Sequence, residues 1–166
     1  MSPSSGVFEP YADAEAVWDY LADRFGLERS LFAGYRLWHR QGGKPVWIAP
    51  EPGDDLSAIR LEWLGLPVLR RPLPRGFPTN AFLRRFGGAA TRNVVDVDWD
   101  TALRLMYSHQ PEWSAPDPKG GPYIIRTEAS VLGRGWVRKG RLVLETPKGW
   151  ADQLLPRTEL AEVETG

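Results

Sequence analysis

The chain of 166 residues has no cysteine, two histidines and two methionines. Without cysteine there are no disulfides, no thiolate-bound zinc, no iron–sulfur cluster and no cysteine nucleophile. His39 and His109 are too few for a histidine-rich metal site. Charge of one sign is also missing: 21 basic side chains face 21 acidic ones. Overall charge therefore does not drive attraction to a polyanion. No apolar run approaches the ~18 residues of a membrane span. The opening stretch MSPSSGVFEP lacks the basic start and apolar run of a secretory signal. These absences lead us to expect a cytoplasmic protein with no membrane association.

The zero net charge hides a segregation along the chain. Residues 1–59 carry nine acids and five bases. Residues 60–92 carry seven bases (Arg60, Arg70, Arg71, Arg75, Arg84, Arg85 and Arg92) against Glu62 alone. Residues 93–118 turn acidic, and residues 119–148 hold seven bases (Lys119, Arg126, Arg134, Arg138, Lys139, Arg141 and Lys148) and two acids. Two basic blocks converging in a fold would make one positive face with an acidic back. Arginine outnumbers lysine 17 to 4, and its planar fork suits phosphates and base edges.

Periodicity and punctuation predict short helices mixed with short strands. Val17, Leu21 and Phe25, with Trp18 beside them, share one face of a helix that Asp13 caps and Gly26 ends. Residues 31–40 and Val46–Ile48 read as a hairpin across Gln41–Gly43. Asp54 and Asp55 open a short helix to Trp63 with Leu56, Ile59 and Trp63 inward, and Leu66–Leu69 is a short strand. The segment PLPRGFP at 72–78 is the expected domain boundary. Thr79 or Asn80 caps a helix over 81–86, residues 93–97 form a strand, and Asp98 caps a helix over 99–106. After the Pro/Gly-rich loop 108–122, strands follow at 123–126, 130–137 and 141–144, the last two joined by a tight Lys139–Gly140 turn. The expected class is α+β, with a small sheet or barrel in the C-terminal half.

The most informative stretch runs from Gly121 to Trp150, GPYIIRTEASVLGRGWVRKGRLVLETPKGW. Glycines inside a strand pattern, here Gly133 and Gly135, mark a bulge or a close backbone approach. Such a strand either solves a packing problem or opens backbone N–H groups to a ligand. Arg134, Arg138, Lys139 and Arg141 surround it, with Trp136 and Trp150 placed for base stacking or for packing. The GRGW run does not match G-x-G-x-x-G and opens no helix, so no cofactor is expected. Asp96, Asp98 and Asp100 alternate without the spacing of a calcium loop, and helix capping by Asp98 is the simpler account.

As a whole this stretch resembles the C-terminal half of a PUA domain, an RNA-binding fold. The resemblance lies in Tyr123–Arg126, Leu132–Gly135, Val137–Leu142 and Pro147–Trp150. It is most similar to the version found at the C-terminus of Nol/Nop/Sun RNA cytosine-5 methyltransferases. Pro78–Asp98 is similar to the opening helix and strand of PUA domains in archaeal-type ribosome-biogenesis factors. Tyr20–Gly26, Phe32–Arg36 and Val46–Ile48 resemble the small α/β domain that precedes them.

The resemblance implies a pre-PUA-like α/β domain over 11–71 and a PUA-like β-barrel with short helices over 72–152. Residues 1–10, Ser/Pro/Gly-rich and expected to be loose, and residues 153–166 are then flexible or peripheral tails. It implies RNA binding without catalysis, since no cysteine is present and no methyltransferase body accompanies these domains. The partner would be structured RNA, ribosomal or transfer, together with an RNA-modifying enzyme or ribosome-assembly factor. Arg75, Arg84, Arg85 and Arg92 would meet phosphates from the helix side. Gly133, Arg134, Gly135, Arg138, Lys139, Arg141, Lys148 and Trp150 would do so from the glycine-opened strand and hairpin. Two other classes stay open: a protein-interaction module docking through the acidic N-terminal half, and a small-molecule or modified-base binder with a pocket lined by Trp and an acid such as Glu128.

Overall fold

The computed structural model describes residues 6–52, 60–61 and 63–145. It is a mixed helix-and-sheet protein of α+β type with two sheets. The chain divides into two compact units, residues 1–91 and 92–166.

The first unit is built on an antiparallel sheet in the order β4-β1-β2-β3-β5. Its strands are β1 (Gly6–Pro10), β2 (Tyr35–Arg40), β3 (Val46–Pro50), β4 (Arg60–Leu61) and β5 (Leu66–Leu69). Helix α1 (Ala14–Phe25) buries Val17, Trp18, Leu21 and Phe25, as its spacing predicts. Gly26 ends it in the left-handed conformation, with the Gly26 and Leu27 N–H groups donating to the Ala22 and Leu21 carbonyls. Asp13 stands at the N-cap but its side chain accepts no cap bond. Helix α2 (Asn80–Phe86) starts on Thr79, whose hydroxyl accepts from the Phe82 N–H at 3.1 Å. A chain of rings links these elements: Trp18 on Phe32, Phe32 on Phe82 and Phe86, Phe86 on Tyr35. A second cluster gathers Phe8, Trp38, Trp47 and Ala49, with Leu61 and Leu64 against it.

Three expectations change here. Residues 6–10 pair with β2 on one side and β4 on the other instead of lying loose. Their Ser/Pro/Gly surroundings carry no local strand signal, and burial of Phe8 anchors the strand. Residues 29–32 form a 3₁₀ turn, so the first hairpin strand begins at Tyr35 rather than at 31. Trp63 is 64 % exposed rather than inward, with its ring edge-on to Trp47. The remainder of the expected 54–62 helix lies outside the described residues, apart from Arg60–Leu61, which form β4.

The division between units falls after Thr91, not at the proline-rich segment 72–78. Leu69 bridges Pro78, and the Thr79 N–H donates to the Val68 carbonyl at 2.8 Å. Residues 70–77 are therefore a loop closed at its base, and α2 packs into the first unit through Phe82 on Phe32. Prolines and a glycine mark a break in local structure, and a loop needs such a break as much as a linker does.

The second unit has a four-stranded sheet, β6-β7-β8-β9. Its strands are β6 (Val94–Asp96), β7 (Tyr123–Arg126), β8 (Val131–Arg138) and β9 (Arg141–Leu144). β6 runs parallel to β7, which requires a long crossover. That crossover carries α3 (Trp99–Met106), capped by Asp98 accepting from the Thr101 N–H at 2.7 Å. β7, β8 and β9 are antiparallel neighbours. The core gathers Val95, Val97, Ala102, Leu105, Tyr123, Ile125, Leu132, Leu142 and Leu144. Among the described residues neither sheet closes into a barrel. No helix there is long and apolar enough to cross a membrane.

Candidate nucleic-acid interface

The β8–β9 hairpin follows from its turn. Lys139 and Gly140 both adopt positive φ, 52° and 73°, the geometry of a two-residue turn that matches strand twist. That turn pairs Arg138 with Arg141, Val137 with Leu142, Trp136 with Val143 and Gly135 with Leu144. One residue further, the Glu145 N–H donates to the Arg134 carbonyl at 2.9 Å. Alternation then puts Gly133, Gly135 and Val137 on one face and Arg134, Trp136 and Arg138 on the other.

The glycines answer a packing need. A Cβ on Gly135 would sit 2.1 Å from Ile125 Cδ1 and 2.9 Å from the Val143 carbonyl. Gly133 has φ 148°, where only glycine is at ease, beside a register shift in the β7–β8 ladder. Of the two readings of this strand, close packing and a bulge account for both glycines.

The opposite face carries the charge. Arg134 makes a bidentate pair with Glu145, Nε to Oε2 at 2.8 Å and Nη2 to Oε1 at 2.6 Å. The Trp136 indole N–H donates to the same carboxylate at 2.9 Å, and the Arg138 guanidinium lies 5.3 Å over the Trp136 ring. Arg134 is thus neutralised within the fold, and Trp136 is covered by Arg138 rather than lying under a barrel. The hydrogen bond from Arg134 holds the Glu145 carboxyl below its ordinary pKa, with Trp136 and the nearby cations adding to it and partial burial opposing it.

A carboxyl whose pKa is depressed in the fold stabilises above its unfolded pKa and loses that contribution as pH falls through the folded one. The second unit should therefore weaken as pH drops below the ordinary value of 4.5. Glu145→Gln should flatten that acid limb. Chemical denaturation midpoints measured across pH for both proteins check this, and superimposable acid limbs would refute it.

At the tip, Arg138, Lys139 and Arg141 are exposed. Lys139 has no side-chain partner among the described residues. Arg141 donates to the Gln110 carbonyl at 3.0 Å and lies 3.8 Å from Glu112. The segment 110–113 runs along the hairpin, with the Leu142 N–H on the Pro111 carbonyl at 2.9 Å and the Trp113 N–H on Gly140 at 2.8 Å. It covers the free edge of β9. An open cleft of about 480 Å³ lies here, lined by Glu112, Trp113, Ser114, Lys139, Gly140 and Arg141. Glu128 is exposed in the β7–β8 connection, so the acid facing a Trp-lined cleft is Glu112.

The first unit carries Arg75, Arg84 and Arg85. Arg84 and Arg85 sit exposed in the last turn of α2, where cations suit the helix dipole. Arg85 lies over the Phe86 ring, and partial burial lowers the Arg84 pKa. Arg75 shares the closed 70–77 loop with Arg70 and Arg71. All three are exposed and have no side-chain partner among the described residues. Arg92 is exposed at the start of the second unit. Lys148 and Trp150 lie outside the described residues.

Several residues escaped the sequence reading. Glu145 was recoverable: a turn at 139–140 dictates that 145 faces 134. Arg70 and Arg71 were visible as charge but carried no sign of sharing a closed loop. Glu112, Trp113 and Ser114 had no signal, because only the fold returns their loop to the hairpin. His39 lies 3.0 Å from Glu9, and His109 is exposed. No cluster of three or more metal-ligating side chains occurs among the described residues. No protein-family model matches the chain, and no curated protein matches it either.

Proposed function

We propose that this chain is a non-catalytic RNA-binding protein whose second unit is PUA-like. In this reading its ligand is structured RNA, ribosomal or transfer, and it works beside an RNA-modifying enzyme or a ribosome-assembly factor. The observation that carries the reading is the hairpin tip. Three exposed cations, Arg138, Lys139 and Arg141, stand within four residues around a two-residue turn. The turn itself favours Asn at the first position, yet a lysine is held there in the left-handed conformation. The Arg70, Arg71 and Arg75 loop supplies a second cationic patch on the first unit. Such surfaces contact phosphate and shape rather than reading a base sequence.

Titration with structured RNA across a series of salt concentrations tests this. Each phosphate neutralised contributes about 0.9 to the slope of log affinity against log salt. The tip alone should give a slope of about 3 in magnitude. Flat, weak binding at low salt would refute the reading and favour a protein partner for the acidic N-terminal half.

A further inference from the structure

The cleft beside the tip holds more chemistry than phosphate binding uses. Its walls bring together two cations (Lys139 and Arg141), an indole (Trp113), a hydroxyl (Ser114) and a carboxylate (Glu112). A volume of about 480 Å³ is in the range of small-ligand sites. A duplex lying across the tip would use the cations but would be repelled by Glu112. A single unstacked nucleotide offers a partner to the cations, the indole and the carboxylate alike. RNA bases that splay out of loops and bulges stack on aromatic rings and are read along their Watson–Crick edges.

The carboxylate discriminates among bases. Ionised, it only accepts hydrogen bonds. Guanine presents two adjacent donors, N1–H and N2–H, to its two oxygens. Adenine and cytosine place a ring acceptor beside their amino group, and uracil flanks its one N–H with carbonyls. Only guanine meets the carboxylate without opposing lone pairs. The Glu112 backbone is fixed beside the cleft by its bridge to Arg141, and its exposed carboxylate lies 3.8 Å from Arg141 Nη2. Trp113 packs on the core of the unit and lines the cleft, so its ring is pinned.

We infer that this cleft takes one unpaired guanine nucleotide, its phosphate on Lys139 and Arg141, its ring on Trp113 and its Watson–Crick edge on Glu112. The inference rests on the RNA-binding reading for the polymer that presents the nucleotide.

The test uses the full chain and four labelled RNA pentamers, UUGUU, UUAUU, UUCUU and UUUUU, followed by fluorescence anisotropy. UUGUU should bind at least about tenfold more tightly than the others, the scale of one bidentate contact. Glu112→Gln should bring UUGUU down to the level of the rest. Lys139→Asn should weaken all four alike and lower the salt slope by about 1. Because Asn suits the turn, this variant should melt no lower than the parent, so its loss of affinity does not report unfolding. Equal binding of the four pentamers, or a guanine preference that survives Glu112→Gln, would overturn the inference. If structured RNA binds and no pentamer does, the cleft assignment falls and the RNA reading stands. If UUGUU is preferred while structured RNA shows no salt-dependent binding, the cleft assignment stands and the polymer reading falls.

Discussion

Reversing the three tip charges together, as Arg138→Glu, Lys139→Glu and Arg141→Glu, is expected to lower affinity for structured RNA on the order of a hundredfold near physiological salt. The salt slope should drop by about 3, because three phosphate contacts are lost. The sheet should survive: these side chains are exposed and the core faces the other way. Circular dichroism and thermal melting of the triple variant check that point. The double variant Arg134→Gln/Glu145→Gln is the contrast. It removes a cation and its own counter-ion together, so affinity should stay within about twofold. A triple variant that folds and binds as well as the parent would exclude the tip from the interface. Equal losses in the triple and double variants would mean that hairpin integrity, not charge, controls binding.

Phe82→Ala should cost about 3–5 kcal/mol, the usual range for deleting a buried ring. Phe82 has no exposed surface, stacks with Phe32 at 5.9 Å and meets Phe86 at a tilt at 5.1 Å. Against a typical total stability of about 5–15 kcal/mol, such a loss leaves the first unit marginal. The location of the damage also decides which unit α2 belongs to. Amide exchange should accelerate in β2, β3 and β5 while β7, β8 and β9 keep their protection. If α2 opened the second domain instead, as the proline-rich segment suggests, the loss would appear in β7–β9. Denaturant titration with residue-level exchange separates the two.

Much of the fold was legible because its signals are local. The i, i+4, i+8 spacing of Val17, Leu21 and Phe25 marks the buried face of α1. Thr79 and Asp98 announce the starts of α2 and α3 because a cap bond spans only three residues. The Lys139–Gly140 turn sets the register of β8 and β9, and with it the meeting of Arg134 and Glu145. That consequence follows from the turn alone, whereas charge pattern and resemblance point Arg134 towards phosphate.

What escaped lies in contacts between distant residues. β1 is a strand because β2 and β4 supply partners for its backbone, not because GVFEP favours extension. Trp63 is exposed although an amphipathic pattern places it inward. The boundary moved from 72–78 to Thr91 because Phe82 finds Phe32, fifty residues away.

By itself the sequence determined helices α1, α2 and α3, the Thr79 and Asp98 caps, the β8–β9 register and the two basic blocks, all of which depend on neighbours a few residues apart. Only the tertiary structure decided which arginines remain uncommitted, which glycines serve packing and which loop lies beside the hairpin. Those outcomes turn on whether a carboxylate, a ring or a backbone from elsewhere in the chain arrives within a few ångströms, and no local pattern encodes that arrival.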